Sequence, residues 1–100
     1  MNAEDVEKAI EAFGVESISY KYPGAEFELT INGEAHTAKM VDHNDAEDEY
    51  SQRVWFVLEV DGRHFIRYGM YRSHWGFEWD YGEFSEVAPV HEVVKVYRPI

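Results

Sequence analysis

One hundred residues, 45% hydrophobic and 16% aromatic, can build one domain with a real core, and that aromatic share argues against disorder despite a mean hydropathy of −0.50. Nine Lys and Arg against 20 Asp and Glu give a formal net charge of −11, which argues against direct binding to nucleic-acid phosphates, since that needs clustered bases. The lack of cysteine excludes a disulfide framework and thiolate chemistry. No apolar run approaches the roughly 18 residues of a membrane span, and Met1-Asn2-Ala3-Glu4-Asp5 lacks the regions of a signal peptide, so a cytoplasmic protein is expected.

Asn2 to Phe13 reads as a helix. Asn2 is an acceptable N-cap, with Asp5 three residues on. Val6, Ala9, Ile10 and Phe13 form one apolar stripe at i, i+3, i+4 and i+7, and Gly14 suits the residue after the last turn. Glu4, Glu7 and Glu11 make the outer face acidic.

Val15 to Tyr22 reads as a strand by alternation, with Ile18, Tyr20 and Tyr22 on one face, and Pro23-Gly24 turns the chain. Ala25–Ile31 and Glu34–Val41 form a hairpin across Asn32-Gly33, a pair suited to a type I′ turn because both central residues need φ > 0. The implied register sets Leu29 opposite His36 and Phe27 opposite Ala38. Phe27, Leu29, Ile31, Ala38 and Met40 should be buried; Glu26, Glu28, Thr30, Thr37 and Lys39 should be wet. Asp42 to Ser51 carries five acids and no base, and reads as a mobile loop.

Arg53–Val60 and Arg63–Tyr71 form a second hairpin across Asp61-Gly62, with Glu59 opposite His64 and Leu58 opposite Phe65. Both of its faces carry large apolar groups, which places it centrally in a sheet. Trp75, Phe77, Trp79 and Tyr81 alternate with Gly76, Glu78, Asp80 and Gly82, predicting a strand over 75–81 with one aromatic face. Ser85 to Pro89 reads as connecting chain, and Val90 to Tyr97 as the last strand. The sum is a single α+β domain over 1–100: one N-terminal helix packed on a curled, mostly antiparallel sheet of about six or seven strands.

Chemistry-bearing patterns are sparse. The five histidines, His36, His43, His64, His74 and His91, form no metal-binding spacing, so no metal or cofactor is expected. The acidic loop fails the EF-hand pattern because Ala46 takes a ligand position and no glycine supplies the turn. No nucleophile motif is present, and only His64, His74, Glu78 and Asp80 offer acid–base groups for an enzyme reading. The aromatic stretch 75–84 either completes the core or anchors a partner, with Gly76 and Gly82 available for a close backbone approach.

Leu58-Glu59-Val60-Asp61-Gly62-Arg63, Tyr71-Arg72-Ser73-His74-Trp75-Gly76, Trp79-Asp80-Tyr81-Gly82-Glu83-Phe84, Glu86-Val87 with Pro89-Val90, and Val94-Lys95-Val96-Tyr97 resemble small acidic proteins encoded by bacteriophages and prophages. The resemblance covers about residues 54–97. It implies a host-cell cytoplasmic setting and an accessory role, and carries over no functional residues. Unrelated phage proteins of this size and charge disarm defence nucleases by imitating DNA.

The leading expectation is therefore a non-enzymatic protein that occupies a basic, nucleic-acid-binding surface on a host nuclease or defence complex. Glu4, Glu7 and Glu11 on the helix, Glu26 and Glu28 on the hairpin, and Asp45, Glu47, Asp48 and Glu49 in the loop would stand in for phosphates, with Trp75, Trp79 or Tyr81 as an apolar anchor. The alternatives are a self-associating scaffold, a homodimer among them, using the stretch 75–84, and a small metal-dependent or acid–base enzyme.

Overall fold

The computed structural model describes residues 1–44, 51–72, 74–80, 82–90 and 97–100. The loop acids Asp45, Glu47, Asp48 and Glu49, the anchor Tyr81 and the interior of the expected strand 90–97 lie outside the described residues.

The chain runs α1 (Ala3–Phe13), α2 (Val15–Ser19), β1 (Glu26–Ile31), β2 (Glu34–His43), β3 (Ser51–Val60), β4 (Arg63–Arg72), β5 (Gly76–Glu78) and β6 (Phe84–Val87). The strands form one antiparallel sheet in the order β1-β2-β3-β4. The far edge of β4 is shared: β6 pairs with its N-terminal half and β5 with its C-terminal end. The architecture is the expected α+β, with a curled antiparallel sheet and an N-terminal helix against it.

Both hairpins have the register that their turns dictate. Asn32-Gly33 and Asp61-Gly62 all take positive φ, and Leu29 faces His36 while Leu58 faces Phe65. Between Met40 and Asp42 the pairing of β2 with β3 slips by one residue at Val41. This bulge turns His43 to the same side as Phe56 and carries β2 two residues beyond the expected end at Val41.

The inner sheet face holds Leu29, Ile31, Ala38, Met40, Val54, Phe56, Leu58, Val60 and Phe65, all buried. α1 lies across it against β1 and β6, inserting Val6, Ala9 and Ile10. Each of the larger side chains contributes about 1.5–3 kcal/mol by leaving water. At the start of α1, Asn2 and Asp5 form a full capping box: the Asp5 N–H donates to Asn2 Oδ1 (2.9 Å), and the Asn2 N–H donates to Asp5 Oδ2 (3.1 Å). The opposite sheet face carries Trp55, Val57, Ile66, Tyr68 and Met70, all half-buried.

Three expected elements need correction. Residues 15–22 are not a strand: Gly14, at φ 111°, breaks α1, and Val15–Ser19 forms a further short helix. Only Ile18 of that stretch is buried, while Tyr20 and Tyr22 are exposed, so the apparent alternation reflects no sheet face. Residues 84–87 are a strand rather than connecting chain, because the unpaired edge of β4 offers backbone partners and Phe84 stacks on Phe65 at 5.7 Å. The aromatic strand 75–81 shrinks to Gly76–Glu78.

Candidate partner-binding surface

The aromatic stretch divides. Trp75 is 77% exposed in the turn after β4, where its N–H donates to the Arg72 carbonyl and Gly76 takes φ 75°. Phe77 packs on Tyr71 (5.1 Å) and stacks with Trp79 (6.4 Å). Trp79 is only 9% exposed and joins the core against Phe56 (5.2 Å). It lies over Gly69, where any Cβ would come within 2.5 Å of the indole. Gly82 does let backbone approach backbone, though within the chain: a Cβ there would overlap the Tyr68 carbonyl. Gly76 has open space, and its glycine serves the turn instead. Trp79 is therefore core with one edge toward a cleft, and Trp75 is the freely presented ring.

The residue that organises this end of the molecule is Arg67, for which the sequence suggested no role. It lies 3% exposed on the inner face of β4. Its Nη1 reaches Glu11 (3.4 Å) and Glu7 (3.6 Å) on α1, and its Nη2 donates to the Trp79 carbonyl. One clue was available: Arg67 has the same parity as Phe65 and Gly69, so a charge stands where the pattern demands a core group. Its Nε, and Nε1 of Trp79, are buried with no acceptor among the described residues.

Two clefts open on either side of Phe77 and Trp79. One, of about 620 Å³, lies between the α1–α2 junction and β5, with Glu11, Glu16, Glu78 and Asp80 around Arg67 and Trp79. The other, of about 420 Å³, lies between Ser19–Tyr22, the β2–β3 end and the same two aromatics. Both sizes lie in the range of ligand sites.

Several of the described carboxylates are paired within the molecule. Glu26 and Glu28 are exposed on β1 and make no ion pair among the described residues. Glu4 holds Lys8 (3.5 Å), and Glu7 and Glu11 are drawn to Arg67. All four arginines between 51 and 72 are engaged: Arg53 with Glu83, Arg63 with Glu86, Arg67 as above and Arg72 with Glu78. The Arg63–Glu86 pair is two-pronged, at 2.8 and 2.7 Å. These hydrogen bonds hold the Glu86 carboxyl below its usual range and raise the Arg63 guanidinium. The Asn2 N–H, and then the Asn32 side chain, lower the Asp5 carboxyl in the same way.

His64 pairs with Glu59 (3.3 Å), as the hairpin register predicts. His36 links the two turns, its Nδ1 2.7 Å from Asp61 and its Nε2 3.8 Å from Glu34. The candidate acid–base set does not converge. His64 pairs with Val87 at one end of β4, while Glu78 faces Met70 some six residues away, roughly 20 Å along the strand. Among the described residues no three His, Asp or Glu side chains are grouped to hold a metal, and no helix is long and apolar enough to cross a membrane. No family model, curated protein or solved structure matches the chain.

Proposed function

We propose that the protein is a non-enzymatic binding protein that occupies a basic, nucleic-acid-binding surface of another protein, with a defence nuclease as the partner class that its resemblance to phage proteins favours. One observation carries the reading: the arginines of β3 and β4 are neutralised within the molecule, so the charge left facing outward is a surplus of carboxylate. Such a field attracts a cationic partner and speeds its approach. Glu26 and Glu28 on β1, and Glu16 and Asp80 at the cleft, offer exposed carboxylates to such a partner. Exposed Trp75 adds an aromatic anchor.

The test is titration against a purified basic nuclease at rising salt. Affinity should fall steeply as the Debye length shortens, and the combined Asp45→Asn, Glu47→Gln, Asp48→Asn and Glu49→Gln variant should bind more weakly. Salt-independent binding, or no loss in that variant, overturns the reading.

Self-association is the second reading, and the half-buried apolar row Trp55, Val57, Ile66, Tyr68 and Met70 on the outer sheet face favours it. Light scattering over a hundredfold range of concentration separates the two. A constant monomer mass rules self-association out.

A further inference from the structure

We propose that the free edge of β1 takes up an extended segment of the partner as a further strand of the sheet, with lysine or arginine beside Glu26 and Glu28 and an apolar residue between them. The inference rests on the basic-partner reading above and adds where, and in what form, the contact is made. β1 ends the sheet, so only one of its edges is paired. Backbone bonding in an antiparallel pair alternates along the strand. The Met40 N–H donates to the Ala25 carbonyl (2.9 Å), and the register then assigns the bonds with β2 to Phe27, Leu29 and Ile31. Glu26, Glu28 and Thr30 therefore turn their N–H and C=O groups to the open edge. All three residues are exposed, and no other backbone among the described residues bonds to them there. Donors and acceptors in such a row are a template for one more strand.

The side chains along that edge select the strand that fits. Glu26 and Glu28 share the outer face, and even with Lys39 opposite Glu26 on β2 the carboxylates outnumber the base. On the inner side Phe27 is half-buried and packs on Phe13, itself 41% exposed, with ring centroids 5.2 Å apart. Lys21 lies over both rings, 4.9 Å from the Phe27 centroid and 5.5 Å from that of Phe13. An apolar side chain between two basic ones falls on this inner side and extends the Phe13–Phe27 contact, whereas a third base there meets Lys21. A second copy of the chain fits less well: antiparallel pairing of two such edges about Phe27 or Glu28 sets glutamate against glutamate. An acidic segment meets the same repulsion. The two glutamates thus deter self-pairing and favour a basic strand.

The experiment is an NMR titration of ¹⁵N-labelled protein with the peptide acetyl-Thr-Val-Lys-Val-Arg-Val-amide. Controls are the same peptide N-methylated at the lysine and arginine amides, and a version with glutamate at both basic positions. The N–H signals of Glu26, Glu28 and Thr30 should shift saturably and gain protection from hydrogen exchange, while those of Phe27, Leu29 and Ile31, already bonded to β2, change less. The double variant Glu26→Gln, Glu28→Gln should weaken binding about three- to tenfold. Both substitutions are isosteric at exposed positions, so the fold survives them. No saturable response at those three signals, equal binding of either control peptide, or undiminished binding by the double variant overturns the inference. So does a response of the same signals to protein concentration alone, which makes the edge a contact between copies. A basic nuclease is titrated in parallel. If it binds with steep salt dependence but ignores the double variant, the edge assignment fails and the wider reading stands. If it does not bind at low salt, the wider reading fails and takes this inference with it.

Discussion

Single residues decide how the aromatic stretch is used. Gly69 exists as glycine because Trp79 lies against it, so Gly69→Ala should drive the indole out of place and lower stability by about 1–3 kcal/mol, read by urea denaturation, with a change in tryptophan fluorescence. Arg67 poses a sharper question, because a buried ion pair is weak evidence for stability. Glu7 and Glu11 stay partly solvated without it, so the loss is mainly of packing and of the bond to the Trp79 carbonyl. Arg67→Ala should lower stability by about 2–4 kcal/mol, and Arg67→Met by less than half of that. Equal losses would show that the charge, rather than the volume, holds the element in place. Carboxylates set the acid limit. Asp5 and Glu86 titrate below their usual range when folded, so their contribution is complete at neutral pH and is lost as pH falls through those depressed values. Below about pH 4 the α1 N-terminus and the β4–β6 edge should loosen first, seen as rising exchange of amides near Asn2–Asp5 and Phe84–Val87.

At the level of elements, the two hairpins were legible because their turns have only one backbone solution. Asn-Gly and Asp-Gly at a two-residue loop demand positive φ, and the register follows without reference to the rest of the fold. The capping box of α1 was legible for the same local reason. What misled was alternation over short stretches. Val15–Tyr22 shows a period of two, yet one buried residue, Ile18, is all the core takes from it, and a helical turn delivers that residue as well as a strand would. Ile18→Ala should therefore lower stability by about 2–4 kcal/mol, whereas Tyr20→Ala and Tyr22→Ala should change it by less than about 0.5 kcal/mol. Denaturation midpoints of the three variants check this directly. β6 was missed because Ser85 and Glu86 look like loop. Its pairing is imposed by the open edge of β4 and by Arg63 reaching Glu86.

Across the whole molecule, charge and shape give different information. The net charge of −11 is visible in composition, but where it points is not. Among the described residues, folding pairs Glu4 with Lys8, Glu7 and Glu11 with Arg67, Glu78 with Arg72, Glu83 with Arg53, Glu86 with Arg63, Glu59 with His64, and Glu34 and Asp61 with His36. Among the described residues, Glu26 and Glu28 on β1 and Glu16 and Asp80 at the cleft are exposed acids outside those pairs. Neutralising Glu26 and Glu28 should therefore weaken a basic partner bound at the sheet and leave one bound at the cleft unaffected, and Glu16→Gln with Asp80→Asn should do the reverse. Salt-dependent affinities of the two double variants would tell which side is used.

Local chemistry was decided along the chain: where α1 is capped, where two turns bend, which residues of each hairpin share a face, and that acid far exceeds base. Each depends on neighbours within a few positions, so sequence alone determined it. Tertiary structure decided the rest: that Trp79 is buried while Trp75 is exposed, that Arg67 draws two carboxylates inward, that Phe84–Val87 joins the sheet, and that acids from α2 and the end of β5 surround one cleft. Those outcomes depend on groups dozens of positions apart meeting once the sheet has curled, and no local period encodes such meetings.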